Sequence, residues 1–387
     1  MASWRFDRDH LNHLRLASGM ILPAVAALGL FGWRAAGVVA LVVLGALLAD
    51  ELLPRGPRPA RLRVMVRAAL IAAFLPATLF DLDSALSRIE SLWPVAVAAG
   101  VLFVLVDWVI YSIATARASA IVVTLLLLIG LVPAALQTDR VLPRNEAFAG
   151  DLLSARTVSR QISTAEPWLD TLQDEEGVVF TLPQATQGLD DYLHGRMATD
   201  RPAVTIARLV GDDLPPLEDL VVGGQPRPIG TASAIAVVIG GLFLVHRGMM
   251  PLRVPVLMTL TLCLTLAVLP LPVIVSHDAI VRRWLAMMDS RVGLAAGVTF
   301  VNYLLLASPA MLVTFFLASQ PESCPPGRSG GIAFSVLYGV LAAVFISRVS
   351  VEHGPLFALA VAQLATPTLQ RWNSPRHLPA AEPAPGI

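Results

Sequence analysis

The chain alternates between long apolar stretches and short polar connectors, with one longer polar segment near its centre. Each apolar stretch is long enough to cross the roughly 30 Å hydrocarbon core of a bilayer, which takes about 17 to 25 helical residues. The stretches run approximately over residues 14–32, 35–52, 64–80, 92–111, 120–136, 229–245, 254–275, 292–317, 331–347 and 355–370. This pattern predicts an all-α, polytopic membrane protein with about ten transmembrane helices.

The composition supports a membrane protein and narrows its chemistry. Of the 387 residues, 56% are hydrophobic and 14% are charged, whereas soluble domains carry roughly 25% charged residues. A soluble globular enzyme is therefore disfavoured. All 28 basic residues are Arg, so no lysine is available for a Schiff base or a P-loop. They balance 28 acidic residues, and this zero net charge gives no reason to expect a nucleic-acid partner.

The charges are distributed unevenly, and their distribution predicts the topology. The connector between the second and third stretches holds Arg55, Arg58, Arg61 and Arg63 and no acidic residue, and Arg-rich connectors face the cytoplasm. Alternation then places both termini in the cytoplasm and residues 137–228 on the outer side. That outer segment carries 15 acidic residues against 8 Arg. We therefore expect a multi-pass protein with an acidic periplasmic insert.

The insert divides the chain into two membrane halves. We predict a first half at 1–136, the periplasmic insert at 137–228, a second half at 229–372 and a disordered tail at 373–387. Five stretches precede the insert and five follow it, so two related halves would lie in the membrane with inverted topology. Pro76 interrupts the third stretch of the first half, and Pro309 interrupts the third stretch of the second half.

Asp107 is the clearest ionisable residue within a predicted span, because it is surrounded by Val, Leu, Ile and Trp. A carboxylate at that depth costs about 2.5 to 3.5 kcal/mol and usually faces a cavity, a partner or a proton path. We therefore consider Asp107 a candidate for ion coupling. The alternative is a protonated carboxyl group that bonds a neighbouring helix. The sequence shows no metal-ligand spacing and no catalytic motif, so we assign no metal and no catalytic residue.

Several motifs, in order along almost the whole chain, resemble those of the RnfD/NqrB/RsxD family. The family comprises membrane subunits of Rnf electron-transport complexes and of the sodium-pumping NADH:quinone oxidoreductase. Residues 229–234 (Ile-Gly-Thr-Ala-Ser-Ala) resemble its I-G-E-T-S-A pattern, and residues 315–321 (Phe-Phe-Leu-Ala-Ser-Gln-Pro) are similar to its F-F-x-x-T-D-P pattern. Residues 352–358 and 31–33 resemble its P-E-G-V-A-F-A and F-G-W patterns.

The resemblance implies a subunit of a redox-driven, ion-translocating oxidoreductase in a bacterial inner membrane. It implies FMN attached to a Thr of the outer segment, which here is Thr199 in the sequence 195–199, with Thr205 in the sequence 203–205 as a poorer match. It also implies a second, noncovalent flavin such as riboflavin among the helices. The partners would be other membrane subunits of an Rnf- or Nqr-like complex, and electron transfer would be coupled to Na⁺ or H⁺ movement. Thr231 and Gln320 stand where the family motifs carry acidic residues.

Two further functions agree with the sequence. A noncatalytic scaffold subunit without flavin is favoured by the altered polar positions of the motifs. A secondary transporter is favoured by the five-plus-five arrangement and by Asp107.

Overall fold

The computed structural model describes residues 2–53, 61–79, 93–113, 119–133, 142–143, 179–180, 185–196, 204–223, 227–275, 280–286, 292–325 and 327–373. Most of these residues are helical. The helices are α1 (Ala2–Phe31), α2 (Trp33–Leu52), α3 (Arg61–Ala72), α4 (Trp93–Ile113), α5 (Ala120–Leu131), α6 (Ala185–His194), α7 (Ala234–His246), α8 (Arg253–Val268), α9 (Leu294–Ala307), α10 (Ala310–Ala318), α11 (Arg328–Arg348) and α12 (Gly354–Asn373). The predicted tail beyond residue 373 lies outside the described residues.

The helices confirm the membrane character of the chain. Within the described residues, α2, α4, α11 and most of α1 are each long and apolar enough to cross a membrane, and α9 with α10 forms a fifth candidate that is bent by 62°. The other predicted stretches overlap helices too, but α5, α7 and α8 are shorter apolar helices of 12 to 16 residues. The number of ten spans therefore stays a prediction.

The two halves use the same kind of close helix packing. In the first half, α2 crosses α4 at Gly45 and Gly100, where a Cβ on Gly100 would overlap the carbonyl oxygen of Val42. In the second half, α8 packs against α11 at Gly339, where a Cβ would lie 2.8 Å from the carbonyl oxygen of Met258. Small residues allow the helix backbones to approach where lipid offers no hydrophobic driving force.

The expectation of an all-α chain is wrong at one predicted span. The stretch 254–275 ends as a helix at Val268 and continues as strand β4 (Leu271–Val275), which pairs with β5 (Ile280–Arg283) and with β3 (Val204–Thr205) of the insert. Pro270 and Pro272 lack the amide that a helix needs, and the following Val-Ile-Val favours a strand. Strands β1 (Leu142–Pro143) and β2 (Val179–Phe180) also lie within the insert.

The described part of the insert packs against one end of the helix bundle. Helix α6 contacts the β4 strand, α9 and the C-terminal end of α11. The Tyr192 hydroxyl donates to the carbonyl of Pro272 at 3.0 Å, and the Tyr303 hydroxyl donates to the carbonyl of Pro215 at 2.7 Å. The insert thus docks on the connectors that the charge pattern places on the outer side.

Both predicted proline interruptions are confirmed as breaks in helices. Helix α3 ends at Ala72, and residues 73–76 run without helical structure to Pro76, before a 3₁₀ turn at Ala77–Leu79. Helix α9 ends at Ala307, and the chain bends at Ser308 and Pro309 before α10 begins. Each proline interrupts the helix because it cannot donate to the helical ladder.

Candidate functional site

Two segments outside the α-helices, residues 73–76 and 228–230, meet inside the bundle at a place that we call the crossing. The amide of Ile229 donates to the carbonyl of Leu75 at 3.0 Å, and the amide of Gly230 donates to the carbonyl of Ala73 at 2.6 Å. Pro228 is bridged to Pro76 in the same antiparallel arrangement. Broken helices are tolerated at membrane depth only where other groups satisfy the freed backbone. Here amides of the second half donate to carbonyl groups of the first half, so the freed backbone groups of both halves are bonded.

The close pairing requires glycine at position 230. A Cβ there would lie 2.7 Å from the Ala73 Cβ and 2.9 Å from the carbonyl oxygen of Ala73. Two neighbouring side chains stabilise the 3₁₀ turn at Ile229–Thr231 and the helix that follows it. The Thr231 hydroxyl donates to the carbonyl of Pro228 at 3.0 Å, and the Ser233 hydroxyl accepts the Ala236 amide at 3.4 Å. Ser233 thereby caps the N-terminus of α7.

The bend between α9 and α10 lies against the same crossing. Arg227 is buried, and its guanidinium donates to the carbonyl of Leu306 in the last turn of α9. A cation at this position complements the negative end of the helix dipole. Phe74, Pro228 and Pro309 together line a small cavity of about 20 Å³. The breaks of α3, α9 and the segment before α7 therefore converge in one region.

Asp107 lies in an ion cluster that joins the two halves. Its Oδ1 is 3.5 Å from Nη1 of Arg67 on α3, and Nη2 of Arg67 donates to Glu322 in the connector between α10 and α11. The Arg67 side chain is only 7% exposed, while that of Glu322 is 48% exposed. Asp107 therefore has a buried cationic partner, Arg67, on a neighbouring helix. The sequence pattern did not identify this partner.

A second set of polar contacts holds the connector that carries Glu322. The Gln363 amide donates to the hydroxyl of Ser323 at 2.9 Å, and its carbonyl oxygen accepts the amide of Ser119 at 3.2 Å. The connector is thus bonded to α12 through Gln363, and the same side chain bonds the start of α5. Gln320 bonds the carbonyl of Phe316 in its own turn. The ion cluster and this network lie at the end of the bundle opposite the insert.

A larger cavity of about 370 Å³ lies between α1, α2 and α3 and reaches the crossing at Ala73 and Gly230. Its sixteen lining residues are all apolar or Gly, and the Gly230 amide at its inner end already donates to Ala73. A flavin ring has several hydrogen-bonding atoms, and cofactor sites place a few polar groups to meet them. The lining of this cavity offers none, so the noncovalent flavin that the resemblance implies does not fit there.

Thr199, the candidate for FMN attachment, lies outside the described residues. The start of its motif is described: Gly195 ends α6 with a φ of 70°, and the Arg196 amide donates to the carbonyl of Asp191 at 2.7 Å. Gly is favoured at this position because it adopts the left-handed conformation without strain. Among the described residues, no group of three or more His, Cys, Asp or Glu side chains is arranged to hold a metal ion.

Asp190 attaches the insert to the connector between α11 and α12. Its carboxylate accepts the amide of Val351 at 2.7 Å and the hydroxyl of Ser350 at 3.1 Å. Burial raises the pKa of Asp190 above its ordinary value, although these two hydrogen bonds oppose the shift. His194, one turn further along α6, bonds the carbonyl of Arg348 at 3.1 Å. Sequence reasoning missed Asp190, because a single Asp in an acidic segment carries no distinguishing pattern.

These features define a polytopic helical membrane protein whose two halves are joined at broken helices. The chain belongs to the NQR2, RnfD, RnfE family, whose sequence model matches residues 11–378. The match covers nearly the whole chain and confirms the family that the sequence motifs indicated.

One similar protein is a component of the Na⁺-translocating ferredoxin:NAD⁺ oxidoreductase complex of Acetobacterium woodii. It is 24% identical over 165 residues, which is 42% of this chain and 43% of the relative. The aligned part therefore spans less than half of the relative. It supports the family assignment, but it does not show that this chain has the relative's activity.

We predict that Arg67→Ala lowers the stability of the protein on the order of 3 kcal/mol, because it leaves the Asp107 and Glu322 carboxylates without their shared buried cation. The measurement is the free energy of unfolding of the purified protein in detergent. Arg61→Ala is the matched control on the same helix, since the Arg61 to Glu51 pair is exposed and such pairs contribute at most about 1 kcal/mol. Equal losses for the two variants would contradict the cluster.

We predict that Asp190→Ala lowers the stability by about 1 to 3 kcal/mol, because the buried amide of Val351 loses its acceptor. Asp191→Ala is the control, since Asp191 lies 3.8 Å from the exposed Arg196 and this pair contributes little. The test compares thermal unfolding of both variants by tryptophan fluorescence. A loss for Asp191→Ala as large as that for Asp190→Ala would show that the contact with Val351 is unimportant.

The raised pKa of Asp190 also predicts the sign of a pH dependence. The folded protein holds this proton more tightly than the unfolded chain, so the stabilisation is present at pH below the ordinary value of 3.8 and is lost as the pH rises through the folded pKa. The stability of the wild type relative to Asp190→Asn should therefore fall from acidic to neutral pH. A relative stability that rises over this interval would contradict the burial of Asp190.

Proposed function

We propose that this chain is an integral membrane subunit of an Rnf- or Nqr-like electron-transport complex. The observation that carries the proposal is the match of the family to residues 11–378, with the match to a component of such a complex as further support. The bundle of apolar helices agrees with a role inside the bilayer. The subunit lies in the inner membrane of a bacterium, with both termini in the cytoplasm and the insert in the periplasm.

The inverted arrangement of two five-helix halves is part of this proposal. The packing of α2 on α4 parallels that of α8 on α11, and α4 on α5 parallels α11 on α12. The third stretch of each half is interrupted at a proline, which is Pro76 in the first half and Pro309 in the second half. Helices α1 and α7 pack against each other between the halves, with Gly19 and Gly240 in close approach. These parallels support ten spans in two related halves.

The chemical part of the proposal assigns FMN attachment to Thr199 and ion coupling to Asp107. A bound flavin supplies one- and two-electron transfer, while the protein fixes its position and excludes water. The contribution of the described residues is electrostatic: Arg67 holds Asp107 and Glu322 at the end of the bundle opposite the insert. An ion that reaches Asp107 competes with Arg67 for the carboxylate, so the cluster is the place where Na⁺ or H⁺ would act.

A scaffold subunit without flavin is the second candidate, and one specific observation favours it. The two side chains that replace the acidic residues of the family motifs are used locally, since Thr231 bonds the carbonyl of Pro228 and Gln320 bonds the carbonyl of Phe316. The large cavity near Thr231 is lined only by apolar residues and Gly. Such a subunit would keep the helical framework and contact its partners without transferring electrons.

We predict that the tagged chain, purified from its native membranes in mild detergent, is isolated together with other membrane subunits of an Rnf- or Nqr-like complex. The reason is that a subunit of a permanent complex buries a large apolar interface with its partners. The measurement is mass spectrometry of the purified complex. Isolation of the chain alone, from cells that express the other subunits, would contradict the proposal.

The same preparation separates the two candidates. After denaturing electrophoresis, the band of this chain should fluoresce if FMN is attached, and Thr199→Ala should abolish that fluorescence. Thr205→Ala is the control, because Thr205 follows a few residues later in the sequence, in β3, and caps the following turn through its hydroxyl. A band without fluorescence in a preparation that contains the partner subunits would reject FMN attachment and favour the scaffold.

A further inference from the structure

The cavity of about 370 Å³ has a shape that neither candidate function explains. On α3 its lining extends from Leu62 in the first turn to Ala73 just beyond the last turn. Eleven residues at the helical rise correspond to a length of about 16 Å. The cavity is therefore a long slot that runs along α3, and its wall on the other side is formed by α1 between Ala17 and Ala24.

The slot opens sideways between α1 and α3. Ile21 of α1 and Met65 of α3 line it, and these two residues are 57% and 41% exposed. On a helical bundle in a membrane, such exposed apolar side chains face lipid. Hydrocarbon chains of the bilayer can thus enter the slot directly from the side.

The two ends of the slot differ in charge. One end lies at the first turn of α3, where Leu62 is flanked by Arg61, which also pairs with the exposed Glu51, and by Arg63. The other end is closed by Ala73 and Gly230 at the crossing. A ligand that fills the slot therefore has an apolar body and an anionic group at one end.

We propose that the slot binds one acyl chain of an anionic phospholipid, with the phosphate of the lipid next to Arg61 and Arg63. The length of about 16 Å corresponds to one leaflet, which is half of the roughly 30 Å hydrocarbon core. An acyl chain needs no hydrogen-bond partner, which agrees with a lining of apolar residues and Gly. Without a ligand, the side chains that line the slot lack dispersion contacts on one side, and an acyl chain supplies them. The Arg side chains at the end of the slot attract anionic headgroups.

The occupied slot has a structural consequence for the crossing. Ile229 and Gly230 line the slot and also bond the α3 segment at Leu75 and Ala73. Leu312 and Phe316 of α10 line it from the second half. The lipid chain therefore contacts both halves and packs against the place where they are joined.

The test is native mass spectrometry of the full chain in mild detergent with added phosphatidylglycerol or phosphatidylcholine of identical acyl chains. The wild type should retain one phosphatidylglycerol more tightly than any phosphatidylcholine. Ala69→Phe should lose this lipid, because Ala69 lines the slot and a phenyl ring fills it. Ala17→Phe, which fills the slot from α1, is the second variant in case the first does not fold.

Two further variants separate the parts of the proposal. Ala40→Phe places the same ring on an exposed position of α2 that does not line the slot, so lipid retention should stay unchanged. Arg63→Gln should weaken the retention of phosphatidylglycerol about fivefold and leave phosphatidylcholine unaffected, as expected for one Arg beside an anionic headgroup. Three results would each overturn the proposal. The first is unchanged lipid retention in both slot-filling variants, and the second is equal retention of phosphatidylglycerol and phosphatidylcholine. The third is an uncharged isoprenoid as the tightly held species.

Discussion

The structure depends on one constraint, which is that backbone polar groups inside a membrane must be bonded by the protein itself. Residues 73–76 and 228–230 leave the α-helical form, and they satisfy this constraint through local turn bonds and through hydrogen bonds to each other. Because one segment belongs to the first half and the other to the second half, neither half can form this region alone. Gly230 allows the two segments to approach each other, since the side chain of any larger residue would clash with Ala73.

Other features follow from this crossing. Helices α3 and α7 are short because each ends or begins at the crossing, and the buried Arg227 beside it bonds the end of α9. The slot between α1 and α3 ends where the two segments meet, and the Arg67 cluster joins the same halves nearer the end of the bundle. The polar groups in this region are thus mostly used to hold the helices together, and the lining of the large cavity beside them is apolar.

Much of this architecture could be predicted from the sequence. The apolar stretches indicated the membrane helices, Pro76 and Pro309 indicated the breaks, and the ordered motifs indicated the family. The strand at 271–275 could not be separated from the preceding apolar stretch, because hydropathy does not distinguish an apolar strand from a helix. The partners of Asp107 were missed since Arg67 and Glu322 are distant in sequence and meet only in the fold. The same holds for Asp190 and Val351.

The measurement that tests the crossing most directly is hydrogen exchange of the purified protein, followed by mass spectrometry of a peptide that covers residues 228–232. We predict that the amides of Ile229 and Gly230 exchange as slowly as those in the middle of α7, although they lie outside the α-helices, because they are bonded to Leu75 and Ala73. Exchange as fast as that of an unstructured peptide would contradict the pairing of the two segments and the joining of the halves that depends on it.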